Sequence, residues 1–159
     1  GDRKACSRAC GDITSAACGT LTAAIFERAE SSPSPDNLCV DLSSCEYMDS
    51  TSMGLLVDFN KRLLRCAERP ITVLSANETC TKLLKTIGIA RMVVMSDEAI
   101  AFPERMAPVG DEKPADAGLL LSAHDDLIEL SPENEQRFSA LRSILAKEAE
   151  KRRDDTENS

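Results

Sequence analysis

Three consecutive hydroxyls follow a carboxylate in Asp49-Ser50-Thr51-Ser52-Met53-Gly54. The apolar run before them, Leu38-Cys39-Val40-Asp41-Leu42, reads as a buried strand. After them Met53, Leu56, Val57, Asn60, Leu64 and Ala67 share one helical stripe. The hydroxyls therefore fall where a strand hands over to a helix, where free backbone N–H groups and the positive end of the helix dipole collect. A phosphate on one of these oxygens would meet those donors and add nearly two negative charges. That is the chemistry of a phosphorylation switch. A helix N-cap would select the same residue types, but a cap needs only one of them.

Other reactive residues assemble less. His124 is the only histidine, and its neighbours Asp125 and Asp126 do not face it on a helix, so a solvated helix residue is expected. The sequence contains neither a Gly-rich phosphate loop nor a G-x-S-x-G elbow. The acidic pairs Asp111-Glu112 and Asp154-Asp155 read as solvated charge. No nucleophile, base and orienter come together, so no catalytic residue, enzyme activity or cofactor is expected. The cysteines are Cys6, Cys10, Cys18, Cys39, Cys45, Cys66 and Cys80. Their count is odd and no C-x-x-C pair occurs; Cys6 and Cys10 are loosely spaced, without a second pair to complete a metal site. Reduced structural thiols, no metal and a cytoplasmic location are the expectation.

The elements that must position the hydroxyl cluster alternate along the chain. Lys4 to Cys10 reads as a strand, and Thr14 or Ser15 as the cap of a helix carrying Ala17, Leu21, Ala24, Ile25 and Arg28 on one face. Residues Ser31 to Asn37 form a Pro- and Ser-rich loop. The helix after the cluster runs to about Arg69 and stops at Pro70. Ile71 to Ser75 is a buried strand, Asn77 caps a short helix closed by Gly88, and Met92 to Met95 is a last strand. This alternation makes the class α/β with at least partly parallel strands. Right-handed crossovers would put the strand–helix junctions on one rim, where sites in open sheets lie.

Composition shifts after Phe102. A first domain is expected over 1–102, a linker or excursion over 103–118, a C-terminal helical extension over 119–151 and a disordered tail over 152–159. In the extension Leu119, Leu120, Ala123, Leu127 and Ile128 mark one helix. Ser131-Pro132 opens another, with the stripe Phe138, Leu141, Ile144 and Leu145. That stripe suits intramolecular packing, with self-association through these helices as the other option.

The chain has 159 residues and a net charge of −8, with no Trp, one Tyr and four Phe. One domain plus extensions can bury a real core at this length. Acidity and the lack of stacking residues argue against nucleic acid and favour a basic protein surface as partner. No apolar run reaches the ~18 residues of a membrane span, and residues Gly1 to Cys10 carry no signal-peptide h-region.

From Lys4 to Met95 the chain resembles a STAS domain, the family shared by sulfate transporters and bacterial anti-sigma factor antagonists. Gly11-Asp12-Ile13-Thr14 is similar to that family's G-E-L-D turn. The stretch from Val40 to Gly54 resembles D-L-S-x-V-x-x-x-D-S-S-G-L-G, and Leu83 to Ile89 resembles its L-L-x-x-x-G-L. The resemblance implies a STAS-like mixed sheet of about four to five strands with helices mainly on one face. It implies that Thr51 matches the phosphorylated hydroxyl of the antagonists, with Ser50 as the alternative acceptor. It implies a partner-binding segment made of Asp49, Ser50, Thr51, Ser52, Met53 and Gly54. The unmodified protein would bind an anti-sigma factor kinase, phosphorylation would abolish binding, and a phosphatase would restore it. Ser52 stands where the family has Gly, and Thr14 where it has Asp. STAS subunits of lipid-transport ABC complexes, nearer to D-T-A-G-L, are a second likeness in which the hydroxyl after Asp corresponds to Ser50. An unphosphorylated scaffold of a signalling complex is a third reading.

Overall fold

The structure is a computed structural model, and it describes residues 4–29, 37–98 and 113–158. Of the expected loop from Ser31 to Asn37, residues 31–36 lie outside the described residues and Asn37 opens a strand; most of the expected linker and the Asp111-Glu112 pair also lie outside them.

Among the described residues four strands and three intervening helices build the α/β body. Strand β1 spans Lys4–Ile13, α1 Ser15–Ala29, β2 Asn37–Met48, α2 Ser50–Ala67, β3 Thr72–Leu74, α3 Glu78–Ile87 and β4 Val94–Ser96, with a 3-10 turn at Ile89–Arg91. The sheet order is β1-β2-β3-β4, and all three pairings are parallel. The described sheet is thus parallel, where a mixed sheet was expected. The reason is connectivity: a helix separates each strand from the next, and such a crossover returns the chain in the same direction.

Local chemistry explains the element ends. Glu68 closes α2 in the left-handed region at φ 56°, two residues before Pro70. Asn77 Oδ1 accepts the Cys80 N–H at 2.8 Å to cap α3, and Gly88, at φ 97°, ends that helix as a left-handed residue that glycine adopts at no steric cost. The β2 strand is longer than its apolar run, extending through Ser43-Ser44-Cys45-Glu46-Tyr47 to Met48. Over this extension its pairing with β1 slips twice, between Arg8 and Cys10 and between Gly11 and Asp12. Cys45 and Met48 stay buried while Ser43, Ser44, Glu46 and Tyr47 are exposed, so the strand lacks simple alternation there.

The core lies between sheet and helices: Leu38, Val40, Leu42, Met48, Val57, Phe59, Ile71, Val73, Leu84 and Ile89 belong to one buried cluster. Asn60, fully buried, accepts the Ile71 N–H at 2.8 Å and donates to the Met92 carbonyl, tying α2 to the entry of β3 and the start of β4. Asp41 is buried in β2 and accepts from the Ser43 N–H at 2.9 Å and from Arg8 Nε at 2.8 Å. Burial works against its charge, but the Ser43 and Arg8 contacts outweigh it and hold the carboxyl below the usual carboxylate range.

Cys18, Cys39, Cys45 and Cys80 are buried. Burial, with the neighbouring Cys80, pushes the Cys45 thiol up to about 12. Burial also raises Cys18 and Cys80, so these sulfurs sit as uncharged packing groups.

The C-terminal part is not a separate appendage. Helix α4 spans Ala117–Ile128 and α5 spans Pro132–Glu157. Leu127 belongs to the same buried cluster as the sheet residues, and Leu119, Leu130 and Phe138 pack against it. Residues 113–115 lie along the first turns of α1: the Lys113 carbonyl accepts from the Gly19 N–H at 3.0 Å, and the Ala115 N–H donates to the Ser15 carbonyl at 2.8 Å. A Cβ on Gly19 would lie 2.5 Å from the Pro114 carbonyl oxygen, so this crossing requires glycine. Helix α5 continues to Glu157, although its last turns were expected to be disordered. Those turns are exposed, and Glu, Lys, Arg and Asp carry them as a solvated helix. The Phe138–Leu145 stripe divides: Leu145 is buried, Phe138 half-buried, and Leu141 and Ile144 exposed. Among the described residues no helix is long and apolar enough to cross a membrane.

Candidate functional site

β1 and β2 end side by side, with Ile13 opposite Met48. Each strand feeds a helix within two residues, so the N-termini of α1 and α2 share one rim of the sheet. Asp49 stands between them in extended conformation, at φ −83° and ψ 174°. Its N–H donates to the Ile13 carbonyl at 3.1 Å and extends the ladder by one rung. Its Oδ2 accepts the Ser15 N–H of α1 at 2.6 Å, and its Oδ1 accepts the Ser52 N–H of α2 at 2.9 Å. One carboxylate therefore caps two helices, and both helix dipoles favour its negative charge. The cap of α1 comes from 34 residues away, where Thr14 or Ser15 was expected to supply it locally.

Ser52 completes the junction. Its hydroxyl lies 2.9 Å from the Ile13 carbonyl and 2.8 Å from Asp49 Oδ1, with Cys18 Sγ 3.5 Å away. Its hydrogen is shared between the two oxygens, and the residue is 3% exposed. This serine supplies a buried polar tie between β1, α1 and α2.

The structure separates the two hydroxyls that could take a phosphate. Thr51, expected as the acceptor, is only 4% exposed. In this conformation the residue offers little surface at the start of α2. Ser50 is half-buried, and its Oγ lies 2.8 Å from His124 Nε2. The other ring nitrogen, Nδ1, is 2.8 Å from the Leu120 carbonyl, which can only accept. Nδ1 therefore carries the hydrogen, and in the neutral ring Nε2 accepts from the Ser50 hydroxyl. The Phe138 ring meets the imidazole edge-on, with centroids 5.7 Å apart.

His124 is thus not a solvated helix residue: it is 2% exposed and faces the hydroxyl cluster. The signal was present in its spacing. It follows Leu120 by four residues and precedes Leu127 by three, which puts it on the apolar stripe of α4. What the sequence does not carry is the identity of the facing element, since Ser50 and His124 are 74 residues apart. A hydroxyl beside an imidazole is also the core of a nucleophile–base pair. Here the ring is sealed between Leu120, Phe138 and α2, and the pair acts as a tie between helices.

The rest of the α2–α4 contact is close and polar. A Cβ on Gly54 would lie 2.3 Å from the Ala123 carbonyl oxygen, so the two backbones touch where only glycine fits. Two turns beyond, Lys61 Nζ meets Asp126 Oδ1 and Glu129 Oε2, each at 2.8 Å. Partial burial works against the Lys61 charge, but the two carboxylates outweigh it and hold the ammonium above its ordinary range. Burial pushes the Asp126 carboxyl up, with Asp58 and Glu129 adding repulsion against the pull of Lys61. Of the expected binding segment, Asp49 and Ser50 are half-buried, while Thr51, Ser52, Met53 and Gly54 are buried. Among the described residues no group of three His, Cys, Asp or Glu side chains could hold a metal ion. No protein-family model matches this chain, and no curated protein matches it significantly.

Proposed function

We propose that this chain is a phosphorylation-controlled regulatory binding protein of the STAS, anti-sigma factor antagonist type. In this reading the unmodified form binds an anti-sigma factor kinase, and a phosphate at the start of α2 ends the complex until a phosphatase removes it. The observation that carries the reading is the placement of three hydroxyls on the first turn of α2, at the rim where two helix N-termini meet over Asp49. A neutral hydroxyl there is buried against a partner at little cost. A phosphate beside Asp49 is not, because an unpaired charge in an interface is costly. The helix N-terminus tolerates the anion, so the switch acts on docking and not on folding.

Of the two candidate acceptors, Ser50 is the one within reach, since it is half-buried while Thr51 is covered. The same observation favours a second reading, a STAS subunit of a lipid-transport ABC complex, because Ser50 corresponds to the hydroxyl of that pattern. Phosphopeptide mapping distinguishes them. The chain and its Ser50→Ala and Thr51→Ala variants are incubated with the kinase that binds it and Mg-ATP. The antagonist reading predicts one phosphate, lost in Ser50→Ala and kept in Thr51→Ala. Absence of any phosphate, with an ATPase subunit co-purifying instead, would replace it with the transporter reading.

A further inference from the structure

Glu133 and Arg137 open α5 beside a cleft of about 450 Å³ between that helix and the end of α3. The cleft carries Lys85, Arg91 and Arg137 against a single carboxylate, Glu133, in a chain whose net charge is −8. Neutral groups hold Arg137 in place: it donates to the Thr86 carbonyl at 3.4 Å and to Asn134 Oδ1 at 3.2 Å. The cleft is therefore a local anion-attracting region on an acidic protein. The far end of the same helix is acidic, with Asp154, Asp155 and Glu157 in its last turn. Between the two ends lie Leu141 and Ile144, 39% and 56% exposed. Arg137, Leu141, Ile144, Glu148, Lys151 and Asp155 recur every three or four residues and all are exposed, so they share one outward face of α5. The helix is about 39 Å long, and Leu145 is its last buried residue.

We infer that this face of α5 is a self-complementary interface, and that its occupant is α5 of a second copy of this chain, running antiparallel. The order of charges decides both occupant and direction. With Leu141 over the second copy's Ile144, an antiparallel pair sets Arg137 opposite Glu148 and Glu133 opposite Arg152, each twice by symmetry. The same register carries the second copy's Asp155 to the start of α5, over Leu130 and the cleft that holds Lys85 and Arg91. A parallel pair would instead set Arg137 on Arg137 and Glu148 on Glu148, which repel. Sliding the antiparallel pair to the next register sets Leu141 against Arg137, or Ile144 against Glu148, and loses the apolar contact. The apolar area is small, so the association is weak and charge sets its geometry. The interface uses neither Ser50 nor the start of α2, and it does not depend on the regulatory reading.

Sedimentation velocity of the full chain over a dilution series, with a reductant present to keep the thiols from cross-linking, tests this directly. The wild type should show a reversible monomer–dimer equilibrium. Glu148→Arg, which places arginine against Arg137 at both ends of the pair, should weaken the dimer by about tenfold or more. Adding Arg137→Glu to that variant exchanges the two charges and should bring the dimer back to within about threefold of wild type. Only the antiparallel register predicts this rescue, because in a parallel pair the exchanged charges still meet their own kind. Arg137 also holds the Thr86 carbonyl, so a circular dichroism melt accompanies each variant. If Arg137→Glu does not fold, Glu133→Arg with and without Arg152→Glu reads the second charge pair in the same way. A wild type that stays monomeric throughout overturns the proposal. So does a dimer that Glu148→Arg leaves intact, or a folded charge exchange that fails to restore it.

Discussion

Asp49 serves two helices through separate oxygens, and that makes its loss more costly than the loss of one cap. Each cap is worth about 1 kcal/mol, so Asp49→Ala should lower stability by about 2 kcal/mol in urea unfolding. A loss near that of a single cap would show that α1 does not depend on Asp49. Ser52 is the other residue whose role is local. Ser52→Gly removes a buried hydroxyl shared between Ile13 and Asp49 and opens a small space beside Cys18. We expect a loss of about 1–3 kcal/mol, read in the same experiment, where a surface serine would change stability little. At this scale the sequence was informative about residue type and silent about direction. A carboxylate with three hydroxyls announced a helix start, but nothing in it says that Ser52 turns inward while Ser50 turns to another helix.

Among the elements, α2 and α4 approach so closely that a single methyl group decides their contact. Gly54→Ala improves intrinsic helix propensity by about 1 kcal/mol. Its Cβ would nevertheless lie 2.3 Å from the Ala123 carbonyl oxygen. Overpacking of this kind costs about 1–3 kcal/mol, so the net expectation is reduced stability despite the better helix former. A stability gain in thermal melts would contradict the seating of α4. The helices and short strands of the body were legible from apolar period, from Asn77 and Gly88 at the ends of α3, and from Pro70 after α2. The second half of β2 was not, because Ser43 to Tyr47 has no alternation and pairs with β1 through two register slips. The seat of α4 was hidden for a different reason. An amphipathic stripe states that a face is covered, and Leu120, Ala123, His124 and Leu127 do so, but it does not state by what.

For the whole molecule, acid stability depends on carboxylates shifted in opposite directions. The Asp41 carboxyl titrates below its unfolded value, so its contribution is present above the ordinary Asp range near 3.9 and is lost as pH falls through that range. The Asp126 carboxyl titrates above its unfolded value, so its penalty is relieved as pH falls toward the same range. Urea unfolding against pH should therefore show little loss on mild acidification and a steep loss below about pH 4. Asp41→Asn should flatten the steep limb, and an unchanged limb would mean that Asp41 does not drive it. The net charge of −8 surrounds the protein with a negative field, while at the seat of α4 Lys61 pairs with Asp126 and Glu129.

The central claim is that an anion at the start of α2 switches docking and leaves the fold intact. Its most direct test is calorimetric titration of the kinase proposed as partner with the unmodified chain and with a chain carrying phosphoserine at position 50, introduced by amber suppression. The account predicts a loss of about 30- to 1000-fold in affinity, with the far-UV circular dichroism and melting of the two chains alike. Equal affinities, or a phosphorylated chain that no longer folds, would contradict it.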